Sequence, residues 1–139
     1  MPALSFQQRF VRFVETGSKT HSIRAERKRP FRAGDTCHLY TAMRTKQCRL
    51  LGRAPCVKVE EIRLWRAGLW INGEELSISE KDSLAWRDGF RHPNSAGRLE
   101  LTGVGGCFDL MLRFWAKAHG DIDFRGQLIH WDWARRVNV

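Results

Sequence analysis

The stretch FQQRFVRFVETGSKTHSIR, residues 6–24, decides how the chain is read. Phe10, Val11, Phe13 and Val14 recur at helical spacing, while Gln7, Gln8, Arg9, Arg12 and Glu15 are polar, so residues 7–16 predict an amphipathic helix. Gly17 suits the helix end, because glycine enters the left-handed region without a Cβ penalty. Residues 19–24 then alternate and include Thr20, Ser22 and Ile23, the pattern of a short strand. Residues 3–6 ahead of the helix read as another. Strand, helix and strand within 24 residues begin a mixed α and β fold.

Working outward, residues 25–35 are a charged loop with Pro30 and a Gly34-Asp35 turn, and residues 38–43 predict the next strand. Residues 47–66 look like a hairpin broken at residues 52–55. Residues 69–71 and 76–78 flank Asn72-Gly73, a strong hairpin turn. Ser79 with Asp82 resembles a capping box and opens a helix to about Arg87. A loop spans residues 91–106. Residues 107–118 predict a helix with Phe108, Met111, Leu112 and Trp115 on one face, and residues 127–133 a last strand. The pairing is mostly antiparallel. The expectation is one α+β domain over residues 1–139, a small β-barrel with flanking helices.

Composition agrees. Of 139 residues, 42% are hydrophobic and 28% charged, with only 4 Pro, which excludes disordered and collagen-like chains. No apolar run reaches the roughly 18 residues of a membrane span. The first residues lack the apolar core of a signal peptide, so the expectation is a cytoplasmic protein with no membrane partner. Cys37, Cys48, Cys56 and Cys107 form no C-x-x-C pair, and the histidines show no ligand spacing. Free, mostly buried thiols, no metal and no cofactor are expected.

The formal net charge is +9. Residues 1–53 carry 12 Lys/Arg against Glu15, Glu26 and Asp35, whereas residues 54–139 carry 12 of each sign, so the whole excess lies in the first 53. Arg24, Arg27, Lys28, Arg29 and Arg32 form one cluster, and Arg44, Lys46, Arg49 and Arg53 another. Such one-sidedness is the footprint of a polyanion binder, and arginine is well suited to phosphate. RNA or a nucleotide is the expected partner; a solvated basic surface is the plainer alternative.

The densest polar segment is Gly17-Ser18-Lys19-Thr20-His21-Ser22-Ile23-Arg24. On a strand, Thr20, Ser22 and Arg24 share one face and His21 and Ile23 the other. A lysine near a hydroxyl acts as its base when neutral, and an adjacent arginine favours that state. Three polar residues on a strand also suit a plain exposed face. Tryptophans 65, 70, 86, 115, 131 and 133 serve either core packing or base stacking. Trp131 and Trp133 are expected on one strand face. The five histidines read as solvated or hydrogen-bonded. Gly103-Val104-Gly105-Gly106 reads as a flexible loop, because a phosphate loop's preceding strand and lysine are missing.

Phe6-Gln7-Gln8-Arg9-Phe10, Glu15-Thr16-Gly17-Ser18-Lys19-Thr20-His21-Ser22-Ile23-Arg24 and Phe31-Arg32-Ala33-Gly34-Asp35 together resemble the ASCH family of the PUA-like superfamily. The shared pattern is a strand and helix, a Gly-x-Lys-Thr-x-[Thr/Ser]-x-Arg segment and a Gly-Asp turn, over roughly residues 4–42. Residues 40–49 look like a variant common among phage and prophage members. Ala85-Trp86-Arg87-Asp88-Gly89-Phe90 is similar to an acid-containing helix end in these proteins.

The resemblance implies a PUA-like β-barrel and RNA or a modified nucleoside as ligand. One branch of the family removes the acetyl group from acetylcytidine with a lysine, a threonine and a glutamate; Lys19, Ser22 and Asp88 match by position, and Arg24 matches a motif arginine. Ser22 keeps the hydroxyl, whereas Asp88 is one methylene shorter. Other members are ribonuclease-like. Three function classes follow: an RNA or nucleoside binding module, a hydrolase using Lys19, Ser22 and Asp88, and a phage-encoded binder of a host protein.

Overall fold

In the computed structural model, the described residues are 3–91, 107–119 and 123–137. The architecture is mixed α+β. The chain divides into two compact units, one of residues 1–60 with 127–139 and one of residues 61–126.

In the first unit, β1 (Ala3–Phe6) leads into α1 (Gln8–Glu15), which buries Phe10, Val11 and Val14. The helix stops where expected. Thr16 N donates to Arg12 O at 3.0 Å and Gly17 N to Val14 O at 3.1 Å, with Gly17 at φ 78°. A Cβ on Gly17 would lie 2.8 Å from Trp133 Cδ1, so this turn needs glycine twice over. After β2 (His21–Ala25), β3 (Thr36–Thr41) pairs parallel with β1 and antiparallel with β4 (Arg49–Trp65). The last strand, β7 (Asp123–Trp131), pairs with β2 and β4. Leu4, Phe6, Val14, Ile23, Cys37, Leu39, Ala54, Cys56, Leu128 and Ile129 are buried.

The hairpin expected within residues 47–66 is instead one continuous strand. Gly52 and Pro55 do other things there. The β3–β4 register shifts between Leu39↔Gly52 and Tyr40↔Leu50, leaving Leu51 as the extra residue of a bulge. Pro55 ends the pairing with β3, opposite Thr36, and its carbonyl accepts from Asp132 N at 3.0 Å. A proline lacking N–H fits where a strand changes partner. The final strand also stops earlier than expected. Asp132 Oδ1 accepts from Ala134 N at 3.1 Å and caps a 3-10 turn, Trp133–Arg135, so Trp131 and Trp133 do not share a strand face.

In the second unit, β4 continues from Glu61 to Trp65 and pairs antiparallel with β5 (Gly68–Ile71), which pairs with β6 (Glu74–Glu75). Asn72 and Gly73 make the expected turn, with φ 50° and 83°. Helix α2 (Ile78–Arg87) begins two residues earlier than expected. Its capping box is Ser77 with Glu80: Glu80 N donates to Ser77 Oγ at 3.2 Å, and Ser77 N to Glu80 Oε1 at 3.0 Å. Asp82 is freed for another task. It is buried and accepts from Phe108 N at 2.9 Å, capping the first turn of α3 (Cys107–His119). The loop expected at residues 91–106 lies outside the described residues from residue 92 onward, together with its glycine run.

Candidate functional site

Strand β2 places the expected polar face. Ser22 and Arg24, two residues apart, meet directly: Arg24 Nε donates to Ser22 Oγ at 2.9 Å. Arg24 Nη2 also donates to the Ser5 carbonyl at 2.9 Å, and its guanidinium carbon lies 5.0 Å from the Phe6 ring centroid. Ser22 is buried, at 5% exposure. A charged donor on its oxygen fixes that oxygen as an acceptor and favours negative charge on it.

Lys19 sits at the entry to β2, its N–H donating to Phe13 O at 2.9 Å. It is 3% exposed. Its Nζ lies 5.3 Å from the Phe10 ring centroid and 5.8 Å from that of Phe6. Lys19 and Ser22 thus belong to the first unit. Asp88 belongs to the second, buried at the C-terminal cap of α2, where its N–H donates to Leu84 O at 2.9 Å.

The basic cluster divides by role. Arg24 and Arg27 turn toward β1, Arg27 Nη2 donating to Ala3 O at 3.0 Å and stacking 5.1 Å from the Phe31 ring centroid. Ala3 and Ser5 are two apart, so their carbonyls emerge on the same side of β1, and two guanidiniums satisfy them. Arg49 is held by Glu15 at 3.0 and 3.3 Å, and Arg53 Nε donates to His38 Nδ1 at 3.3 Å. Burial and then the Arg53 charge hold His38 below its ordinary pKa. Lys28, Arg29, Arg32, Arg44 and Lys46 are exposed and pair with no carboxylate among the described residues. Arg32 N donates to Asp35 Oδ2 at 3.0 Å, which sets the turn before β3. Ala42 and Arg44 stand at φ 53° and 65°, so the segment carrying Arg44 and Lys46 is locally strained.

Sequence reasoning missed one cluster. His130 Nε2 lies 2.8 Å from Glu60 Oε1, Lys58 Nζ lies 3.5 Å from that same oxygen, and the His21 ring is 5.6 Å from that of His130. The i, i+2 spacing of Lys58 and Glu60 is visible in the sequence, but their meeting with His130 depends on β7 pairing with β4. Among the described residues no group of three His, Cys, Asp or Glu is placed to hold a metal ion, and no helix is long and apolar enough to cross a membrane. Cys37, Cys56 and Cys107 are buried free thiols and Cys48 an exposed one.

No protein-family model matches the sequence, and no curated protein or solved structure matches it.

Proposed function

We propose that the chain is an RNA- or modified-nucleoside-binding module of the ASCH type, with a PUA-like barrel and the basic residues of its N-terminal part contacting phosphates. The observation that carries this reading is the set of exposed cations, Lys28, Arg29, Arg32, Arg44 and Lys46, without carboxylate partners among the described residues. Unpaired surface cations keep their charge for an external polyanion. Arg24 and Arg27 act differently in this reading, since their guanidiniums hold the carbonyls of β1. The test is titration of a labelled single-stranded RNA at several salt concentrations. Affinity should fall linearly on a log–log plot, with a slope of about −0.7 per neutralised phosphate. Absence of binding at low salt would overturn the reading.

A second reading is favoured by the buried Lys19 and by the Arg24 contact to buried Ser22: removal of the acetyl group from acetylcytidine. Neutral Lys19 takes the Ser22 proton, and Ser22 Oγ attacks the acetyl carbonyl. Arg24 Nε, already on that oxygen, steadies the charge that develops there. The C–N bond breaks as protonated Lys19 returns its proton to the leaving cytidine amine, and water, deprotonated by the again neutral Lys19, then hydrolyses the acetyl ester to acetate and restores the Ser22 hydroxyl. Incubation with acetylcytidine, with Lys19→Ala alongside, tests this reading. Release of cytidine by the wild type alone supports it; turnover retained in Lys19→Ala removes Lys19 from the mechanism, and no turnover by either protein removes the reading.

A further inference from the structure

In the second unit, the β4–β5 register pairs Arg63 with Trp70 and Trp65 with Gly68, while Ile62 pairs with Ile71 and Leu64 with Leu69. Side chains alternate across a strand and Glu75 of β6 pairs with Trp70, so Arg63, Trp65, Gly68, Trp70 and Glu75 share one face. Ile62, Leu64 and Leu69 on the other face are 0–2% exposed. The Arg63–Trp70 face is therefore the outer one, and both its tryptophans are only half-buried. Two neighbouring indoles, each partly in water on an outer sheet face, leave ring surface available to a ligand.

Their arrangement is built. The Trp70 ring lies across Gly68, where a Cβ would come within 2.6 Å of two ring carbons. Glycine at that position lets the indole settle on the strand. Trp65 and Trp70 are 5.9 Å apart between centroids, and the guanidinium carbons of Arg63 and Arg66 each lie 4.4 Å from the Trp65 ring. Asp123 grips Arg63 at 3.0 and 3.2 Å, and the Arg125 charge also acts on that carboxylate. Arg66 sits in the tight β4–β5 turn, where Arg66 and Ala67 adopt φ 47° and 57° without a glycine. A strained turn thus carries Arg66 beside the ring. Lys81 adds a further cation at the turn, its Nζ donating to Ala67 O at 3.1 Å.

We propose that this outer hairpin face, with Trp70 and Trp65 as rings and Arg63 and Arg66 beside them, is a stacking platform for the bases of single-stranded RNA. An aromatic ring pair beside a cation is what a single strand engages: the rings take bases and Arg66, exposed and without a carboxylate partner among the described residues, takes a phosphate, while Asp123 holds Arg63 against the Trp65 ring. The inference rests on the RNA-binding reading and adds to it a contact to bases, which the basic residues of the first unit do not supply.

The experiment compares a uridine oligonucleotide with an abasic RNA chain of equal length, on wild type, Trp70→Leu and Trp70→Phe. Thermal unfolding of each variant confirms that it folds. Wild type should prefer the base-bearing chain by roughly 5- to 100-fold per stacked base. Trp70→Leu should lose most of that preference while binding the abasic chain as before, and Trp70→Phe should recover part of it. Equal wild-type affinity for both chains would overturn the platform and leave the polyanion reading standing. So would a preference that survives in folded Trp70→Leu. Binding to neither chain at low salt would overturn both.

Discussion

The Arg24 guanidinium spans two strands, donating to the Ser5 carbonyl of β1 and to Ser22 Oγ of β2, each at 2.9 Å. Strand β1 pairs with β3 on one side, and side chains from β2 and the residue two beyond it satisfy its other side. Lysine at position 24 keeps the charge but not the planar fork that serves both oxygens. Arg24→Lys should therefore lower stability by about 1–3 kcal/mol, the worth of a charge-assisted hydrogen bond. Thermal unfolding reads this directly. An unchanged midpoint would mean that the contact to Ser5 contributes nothing to the fold.

Lys28, Arg29, Arg32, Arg44 and Lys46, exposed and without carboxylate partners among the described residues, predict the opposite pattern. Arg44→Glu with Lys46→Glu should leave the midpoint of unfolding nearly unchanged, because neither side chain is tied to the described structure through an ion pair. RNA affinity should fall, and the slope of log affinity against log salt should flatten by about 0.7 for each phosphate that is no longer neutralised. An equal fall in affinity at every salt concentration would instead point to damage away from the phosphates.

Local signals account for what the sequence disclosed. Asn72-Gly73 favours left-handed backbone at both positions and makes its turn, and α1 stops at Gly17 because its helical spacing and its glycine agree. Gly52 and Pro55 carry the same kind of signal but serve a bulge and a change of partner, which depend on β3 and on Asp132 far along the chain. The Arg66-Ala67 turn leaves no trace in the sequence, since neither residue favours positive φ. Alternation is enough to place Ser22 and Arg24 on one face. It is not enough to show that Arg24 reaches Ser5, 19 positions away, or that Glu60 meets His130 across 70. Contacts of that separation exist only once the strands have paired.

Burial, and then the neighbouring Cys56, pushes the Cys37 thiol up from its ordinary 9.0 to about 12. The folded state therefore keeps this proton where the unfolded chain releases it. Stability is fully present below pH 9 and declines between pH 9 and 12, by on the order of 1.4 kcal/mol per unit from this group. Denaturant unfolding at about pH 8, 9 and 10 should show the decline, and Cys37→Ala should flatten it. Identical slopes in the two proteins would assign the alkaline loss to other groups.

The same burial governs thiol reactivity, because the thiolate is the attacking form. Cys37, Cys56 and Cys107 are 0–2% exposed, whereas Cys48 lies in the exposed segment before β4. A disulfide reagent at neutral pH should modify one thiol quickly and all four only in denaturant. Cys48→Ser should abolish the fast phase. A fast phase that survives that substitution would show that a buried thiol reaches solvent on the time scale of the reaction.

Ala67 offers the last test, because its φ of 57° costs a non-glycine residue roughly 1–2 kcal/mol. Ala67→Gly removes the Cβ that causes the cost, while the entropy of a freer unfolded chain returns about 0.4–1 kcal/mol of it. The net expectation is a modest gain, with the midpoint rising by about 1–4 °C for a chain of this length. Arg66 should stay over Trp65, since the backbone it needs becomes easier to hold. RNA binding by Ala67→Gly should then match the wild type. If stability rises but the base preference falls, the strained turn itself sets the position of Arg66, and relaxing it releases the guanidinium from the ring.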